Sequence, residues 1–308
     1  MISNFKNITE IKGGLSTKKI FRQFDKKTSK IIVDFSQDEK EFHNYLKVYG
    51  ILKKIDISIP KIYEIYWNKK LLVMEDFGDH SFENIFQEKE LYNLLKLSVD
   101  NLIIIQNSIT ANDLRGLKRY TYSDFKAEIS EFVDYYLPYK NILNFPVNNF
   151  YTCWEKIYND QKFDFDSFVH KDFEFINLIF LNKNNLHFKC GIIDFQSAYI
   201  GFKGWDLFSI LENPRMFFTT KYNLDLIKYY YENVNIPIEF ETFLRQYYLL
   251  NLGRHTRLLG RWVKLFNKGN KNYICYIEST RKRIISCLNN IKDNKLKKIY
   301  ANVLANNV

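Results

Sequence analysis

Residues 167 to 201 read SFVHKDFEFINLIFLNKNNLHFKCGIIDFQSAYIG, and the alternation of apolar and polar residues in this stretch decides the fold. SFVHKDFEFINLIF passes through a polar turn at Asn182 to Asn185 into FKCGIIDFQSAYIG, so apolar strands flank a polar loop. His170, Asp172 and Asn177 occupy the loop spacing H-x-D-x-x-x-x-N. Seventeen residues after Asn177, the apolar run Gly191-Ile192-Ile193 delivers Asp194 at a strand end, followed by Phe195. Singly these residues say little: a loop histidine is commonly structural, and an aspartate at a strand end commonly serves a turn. Jointly they describe phosphoryl transfer, in which positioning and charge neutralisation do most of the work. A carboxylate to accept the hydroxyl proton suits Asp172. An amide oxygen and a second carboxylate to hold Mg²⁺ suit Asn177 and Asp194.

Upstream, the first 80 residues read as sheet. Phe21 to Phe24, Ile31 to Phe35, Ile62 to Trp67 and Leu71 to Glu75 are short β-branched or aromatic runs, with a polar turn at Asn68 to Lys70. A helix interrupts them: Ser36 and Glu39 have capping-box spacing, and Phe42, Tyr45, Leu46, Tyr49 and Leu52 recur at helical intervals. Beyond Gly78 the pattern becomes long amphipathic helices, such as Glu88 to Asn107 with Leu91, Leu95, Val99 and Leu102 on one face, and helices resume from Trp205. The expected class is α+β, with a small antiparallel-sheet lobe over residues 1–76 and a mostly helical lobe over 77–308. A chain of 308 residues exceeds one ordinary hydrophobic core, which fits two lobes.

Composition narrows the class. With 46% hydrophobic residues, five prolines and eleven glycines the chain is neither disordered nor low-complexity. Cys153, Cys190, Cys275 and Cys287 form no C-x-x-C pair, so no zinc site or disulfide framework is suggested and a reducing cytoplasm is expected. The first residues, MISNFKNITEIKGG, lack an apolar run, and the longest aliphatic stretch, Leu102 to Ile105, is too short to span a bilayer. The net charge of +10 spreads along the whole length without aromatic interleaving, so no nucleic-acid partner is expected. The Lys/Arg cluster from Arg281 to Lys298 reads as the solvated face of a C-terminal helix.

The HKDFEFIN and IIDFQ segments resemble the motifs of the aminoglycoside phosphotransferase and choline kinase superfamily, whose fold is protein-kinase-like. GGLSTKKIFRQF, LLVMEDFGD, IIDFQSAYIGFKGWDLFSIL and NLGRHTRLLGRWVKL are similar to the bacterial N-acetylmuramate and N-acetylglucosamine anomeric kinases, over about residues 10 to 290. The resemblance implies Asp172 as catalytic base, with His170 and Asp206 bracing the catalytic loop. It implies Asn177 and Asp194 as Mg²⁺ ligands and ATP as phosphoryl donor. It also implies a turn at Gly13, Gly14 and Ser16 over the phosphates, and a hinge from Met74 to Phe77 whose backbone at Glu75 and Phe77 bonds the adenine edge.

The sequence departs from that pattern in three places. IIVDFS presents Asp34 where the third strand of the wider superfamily carries a lysine, leaving Lys18, Lys19 or Arg22 of the preceding strand as the phosphate cation. Glu174 and Ile176 stand where the anomeric kinases tend to have histidine and arginine, and Glu212 and Asn213 replace an arginine-aspartate pair. On the acceptor side, Glu174, Asp206, Arg254 and His255 are candidates, with Arg254 and His255 suited to an acidic sugar, though both also fit an ordinary solvated helix face. The expected reaction is phosphorylation of a small polar molecule, foremost the anomeric hydroxyl of an N-acetylated amino sugar. An aminoglycoside, choline or amino-alcohol kinase and a nucleotide-binding pseudokinase stay open.

Overall fold

The computed structural model describes residues 5–11, 17–26, 28–216, 221–291 and 293–305. In chain order the first half comprises β1 (Ile8–Ile11), β2 (Lys19–Asp25), β3 (Thr28–Asp34), α1 (Glu39–Leu52), β4 (Ile62–Tyr66), β5 (Leu71–Glu75), α2 (Phe82–Ile85) and α3 (Leu91–Ser108). The remainder comprises α4 (Tyr122–Glu131), α5 (Leu137–Tyr139), α6 (Val147–Asp160), β6 (Ser167–Val169), β7 (Leu178–Phe180), β8 (Cys190–Ile192), β9 (Tyr199–Gly201), α7 (Trp205–Leu211), α8 (Asn223–Asn233), α9 (Phe240–Asn267), α10 (Tyr276–Ile291) and α11 (Asn294–Ala305). Two compact units result, Met1–Arg115 with His170–Ala198, and Gly116–Val169 with Tyr199–Val308. The segment from His170 to Ala198 thus belongs with the sheet. The lobe division after Asp76 is a separate matter, a proposal about the hinge.

The first unit is built on a five-stranded antiparallel sheet in the order β1-β2-β3-β5-β4. Interior strand β5 is buried from Leu71 to Met74, and its register with β3 pairs Met74 with Ile31 and Leu72 with Val33. Helix α1 covers this face: Phe35 packs against Phe42 at 6.0 Å and Tyr45 at 5.6 Å between ring centres. Each such fully buried large side chain contributes roughly 1.5–3 kcal/mol. The cap of α1 is not Ser36. Asp38 accepts from the Glu41 amide at 2.9 Å, while the Ser36 amide is held by Asp34 Oδ1 at 2.8 Å. Asp34, standing where a lysine was looked for, therefore fixes the turn into α1. Strand β1 lies beyond the sequence expectation because ITEI is a short edge strand with little apolar alternation. A 3₁₀ turn at Glu88–Glu90 precedes α3, whose Leu91, Leu95, Val99 and Leu102 are buried as expected.

The second unit is organised by the 28-residue α9. Gly260 lets α9 approach α4: a Cβ there would stand 2.0 Å from the Glu131 carbonyl oxygen. Glu131 in turn meets Arg261 and Lys264, each at 3.0 Å. The basic cluster from Arg281 is only partly a solvated face. Arg281 and Arg283 are buried; Arg281 donates to the Leu304 carbonyl at 2.7 Å and Arg283 lies 3.5 Å from Glu212. Among the described residues no helix is long and apolar enough to cross a membrane.

Candidate active site

The loop from His170 to Asn177 is anchored by its aromatic residues. Phe173 and Phe175 are buried, and Phe175 meets Phe82 of α2 edge to face at 5.7 Å. Lys171 takes a left-handed φ of 79°, a conformation uncommon for a side chain with a Cβ, and the next residue, Asp172, is half-buried. His170 is fully buried and its Nε2 donates to the Ile193 carbonyl at 3.1 Å. Burial pulls its pKa down to about 4, against the opposing pull of Asp194, so the ring is neutral near pH 7. Asn177 Nδ2 donates to the Asp172 carbonyl at 2.8 Å, which ties both residues together and leaves the Asn177 side-chain oxygen as the acceptor.

Strand pairing then sets Asp194 beside this loop. In the β7–β8 hairpin Leu178 faces Ile192, and the Ile193 amide donates to the Asn177 carbonyl at 3.1 Å. Asp194 follows in the left-handed region at φ 64°. Its Oδ1 accepts from Gln196 Nε2 at 3.0 Å and from the Lys18 ammonium, which also lies 3.6 Å from Glu41 on α1. Burial alone would raise the Asp194 carboxyl, but the charge and hydrogen bond of Lys18, with Gln196, hold it below the usual carboxylate range.

A cavity of about 500 Å³ adjoins these groups. Lys18, Ile20 and Arg22 of the β2 segment line it together with Ile31, Val33 and Phe35 of the β3 segment. The period-2 alternation of strands explains both sets. All three β3 positions are apolar, so cations reach the cavity from β2. Lys19, at the alternate position, does not line it, and Lys18 does. The hinge residues Met74, Glu75 and Phe77 line the same cavity, as do Asn177 and Asp194.

The hinge is held on both sides. The Glu75 amide donates to the Lys61 carbonyl at 2.8 Å, and Tyr45 donates its hydroxyl to the Met74 sulfur at 3.5 Å. Phe77 rests on Gly191 of β8, where a Cβ would meet its ring at 2.6 Å. Arg22 does not stand alone in the cavity: Nε is 2.6 Å from Asp76 and Nη1 is 2.7 Å from Asp79. Asp76 also accepts from Ser29 at 2.6 Å and from the Gly78 amide at 2.9 Å. Gly13, Gly14 and Ser16 lie outside the described residues.

Thus Arg22, Met74, Glu75, Phe77, Asn177 and Asp194 line one cavity, whereas Asp172, His170 and the buried Glu174 belong to the same unit and the adjoining loop without lining it. Asp206 on α7 and Arg254 and His255 on α9 belong to the second unit, and all three are interior, with exposures of 3%, 4% and 0%. The solvated-face reading of Arg254 and His255 is thereby corrected. Sequence reasoning missed Glu41, Asp76, Asp79 and Gln196. The signals available were the acidic first turn of α1, the two acids flanking the hinge glycine, and an amide two residues after Asp194.

The model of the phosphotransferase enzyme family matches residues 7–235. The N-acetylmuramate/N-acetylglucosamine kinase of Pseudomonas aeruginosa is 22% identical over 269 residues, covering 83% of this chain and 76% of that protein. The protein of the same name from Caulobacter vibrioides is 24% identical over 235 residues, 72% of this chain and 63% of its own length. Among solved structures, choline kinase LicA from Streptococcus pneumoniae superposes with a TM-score of 0.62 at 16% identity, covering 92% of this chain and 96% of that one. That likeness establishes the kinase-like fold.

Proposed function

This chain belongs to the phosphotransferase enzyme family, and on that premise we propose that it is an ATP-dependent kinase acting on the anomeric hydroxyl of N-acetylmuramate or N-acetylglucosamine. The observation that carries the reading is that Lys18, Asn177 and Asp194 line the same apolar cavity as the hinge from Met74 to Phe77. Ile20, Ile31, Val33 and Ile179 offer faces for a purine, and backbone groups at Glu75 and Phe77 its hydrogen-bonding edge. Lys18 takes the place of the missing third-strand lysine, since it stands at Asp194, whereas Arg22 is held at the hinge by Asp76 and Asp79. Arg22 then serves nucleotide binding by holding β2 to the hinge.

Asn177 and Asp194 fit a magnesium ion: the amide nitrogen of Asn177 is committed to the Asp172 carbonyl, which leaves one amide oxygen and one ionised carboxylate. Mg²⁺ takes few protein oxygens when phosphates complete its shell. When bound, it neutralises charge on the transferred phosphoryl group. Asp172 accepts the acceptor's proton, and because an anomeric hydroxyl is more acidic than an ordinary alcohol, a weak base suffices. His170, buried and neutral, braces the loop through the Ile193 carbonyl. Glu174, on the same loop as Asp172, is proposed to shape acceptor choice. A cytoplasmic setting, where ATP is abundant, suits four unpaired thiols.

The test is ADP release from Mg-ATP across N-acetylmuramate, N-acetylglucosamine, glucose, choline and kanamycin, with Asp194→Asn as control. Turnover with the amino sugars alone supports the reading. Turnover with choline or kanamycin alone replaces the acceptor, and nucleotide binding without turnover points to a pseudokinase.

A further inference from the structure

Directly after Asp194 the chain turns through a 3₁₀ element, Phe195–Ser197. Phe195 is fully buried and stacks on Tyr45 of α1 with ring centres 4.7 Å apart, which fixes the turn. The turn sends Gln196 back along the chain. Its side chain is 6% exposed and its Nε2 donates to Asp194 Oδ1 at 3.0 Å. The other end of the same amide, Oε1, is buried and has no hydrogen-bond partner among the described residues. A buried acceptor left unmet costs about 1–3 kcal/mol, and a leucine here would avoid that cost. The orphan oxygen shares an amide plane with the nitrogen that holds Asp194.

We propose that Gln196 is a positioning residue for the metal of phosphoryl transfer. Its N–H fixes one Asp194 oxygen, which would leave the other to face the ion in a single orientation. An amide suits this task because it donates without charge, whereas a carboxylate would set a second negative charge against Asp194. The inference rests on the reading that Asp194 holds the metal.

The experiment titrates Mn²⁺ into the full-length protein with ADP and follows free Mn²⁺ by electron paramagnetic resonance, for wild type, Gln196→Leu, Gln196→Met and Asp194→Asn. Metal-free ADP binding and melting temperature are measured alongside. Loss of an outer partner of a metal ligand typically costs 10–100-fold in affinity, so the Gln196 variants should bind Mn²⁺ about tenfold more weakly. Metal-free ADP affinity should stay within about twofold of wild type, since the amide acts through the metal site. Two apolar replacements of different shape are used so that either one that retains the wild-type fold carries the result. If Asp194→Asn loses Mn²⁺ affinity and both folded Gln196 variants keep it, Gln196 is a packing residue and the inference is overturned. If Asp194→Asn itself keeps Mn²⁺ affinity, the metal reading of Asp194 fails, and this inference with it.

Discussion

The Lys18 ammonium, one residue ahead of β2, hydrogen-bonds the Asp194 carboxylate and lies 3.6 Å from Glu41 on α1. On the proposed reading, a lysine paired with a helix carboxylate and facing Asp194 would neutralise phosphate charge, and it comes from the β2 segment because the cavity-facing positions of the β3 segment are all apolar.

Lys18→Met should therefore lower kcat/KM by about 10²–10³, the usual cost of one charge-stabilising group. Glu41→Gln should cost less, about tenfold, because it only orients the ammonium. The sharper check is relocation. Val33 lines the cavity from β3, so Val33→Lys in the Lys18→Met background should recover part of the lost activity. No recovery, with both variants folded, would show that the address on β2 matters and not just the charge.

Asp172 and Asp194 should separate by readout. Asp172→Asn should lower kcat by about 10³ or more while leaving Mg-nucleotide affinity near wild type. Asp194→Asn should abolish turnover and also weaken metal-dependent nucleotide binding. Near-normal turnover in Asp172→Asn would remove it as the base.

Gly191→Ala probes the hinge from behind. The added Cβ would meet the Phe77 ring at 2.6 and 2.8 Å, so that ring must move. Overpacking of this kind costs about 1–3 kcal/mol. Calorimetry should show weaker ATP binding, about fivefold for each roughly 1 kcal/mol by which the displaced ring disturbs the bound state. Phe77→Leu in the same background should restore much of it by giving up the clashing ring edge. If both single and double variants bind ATP normally, the hinge does not depend on this contact.

The strands around the His170–Asn177 loop, the turn after Asp194 and the strand running into Met74 were legible in the sequence because each is a local pattern, fixed by spacing along a few residues. What could not be read was which distant partner each side chain meets. Lys18, Lys19 and Arg22 were equal candidates as letters, and the β2 register separated them: Arg22 meets Asp76 and Asp79, and Lys18 meets Glu41 and Asp194. The cap of α1 failed for a smaller reason, since SQDE offers two capping residues and Asp34 had already taken the Ser36 amide. Arg254, His255 and Arg283 read as a wet surface because burial of a charge depends on counter-charges from other elements. Glu212, 3.5 Å from Arg283, is one that the sequence places seventy-one positions away.

That buried cluster gives the last prediction. His255 is fully buried on α9; burial, reinforced by Arg254, Arg283 and Arg257, holds its pKa well below the usual histidine value of 6.5. The other charged groups facing this region, Glu212 and Glu128, meet Arg283 and Arg257 and leave the histidine in a positive surrounding. The folded state keeps the ring neutral where the unfolded chain takes up a proton, so the unfolded chain binds more protons as pH falls below about 6.5. Stability from this group is fully present above that pH and is lost on acidification, at up to about 1.4 kcal/mol per pH unit until the folded pKa is reached. Thermal melts at pH 7.5 and 5.5 should show a lower midpoint at the acidic value, and His255→Phe should flatten that dependence even if it lowers both midpoints. Because His170 is likewise neutral and buried, some dependence should persist in the variant. An unchanged slope in His255→Phe would mean that the arginines around position 255 do not keep its ring neutral.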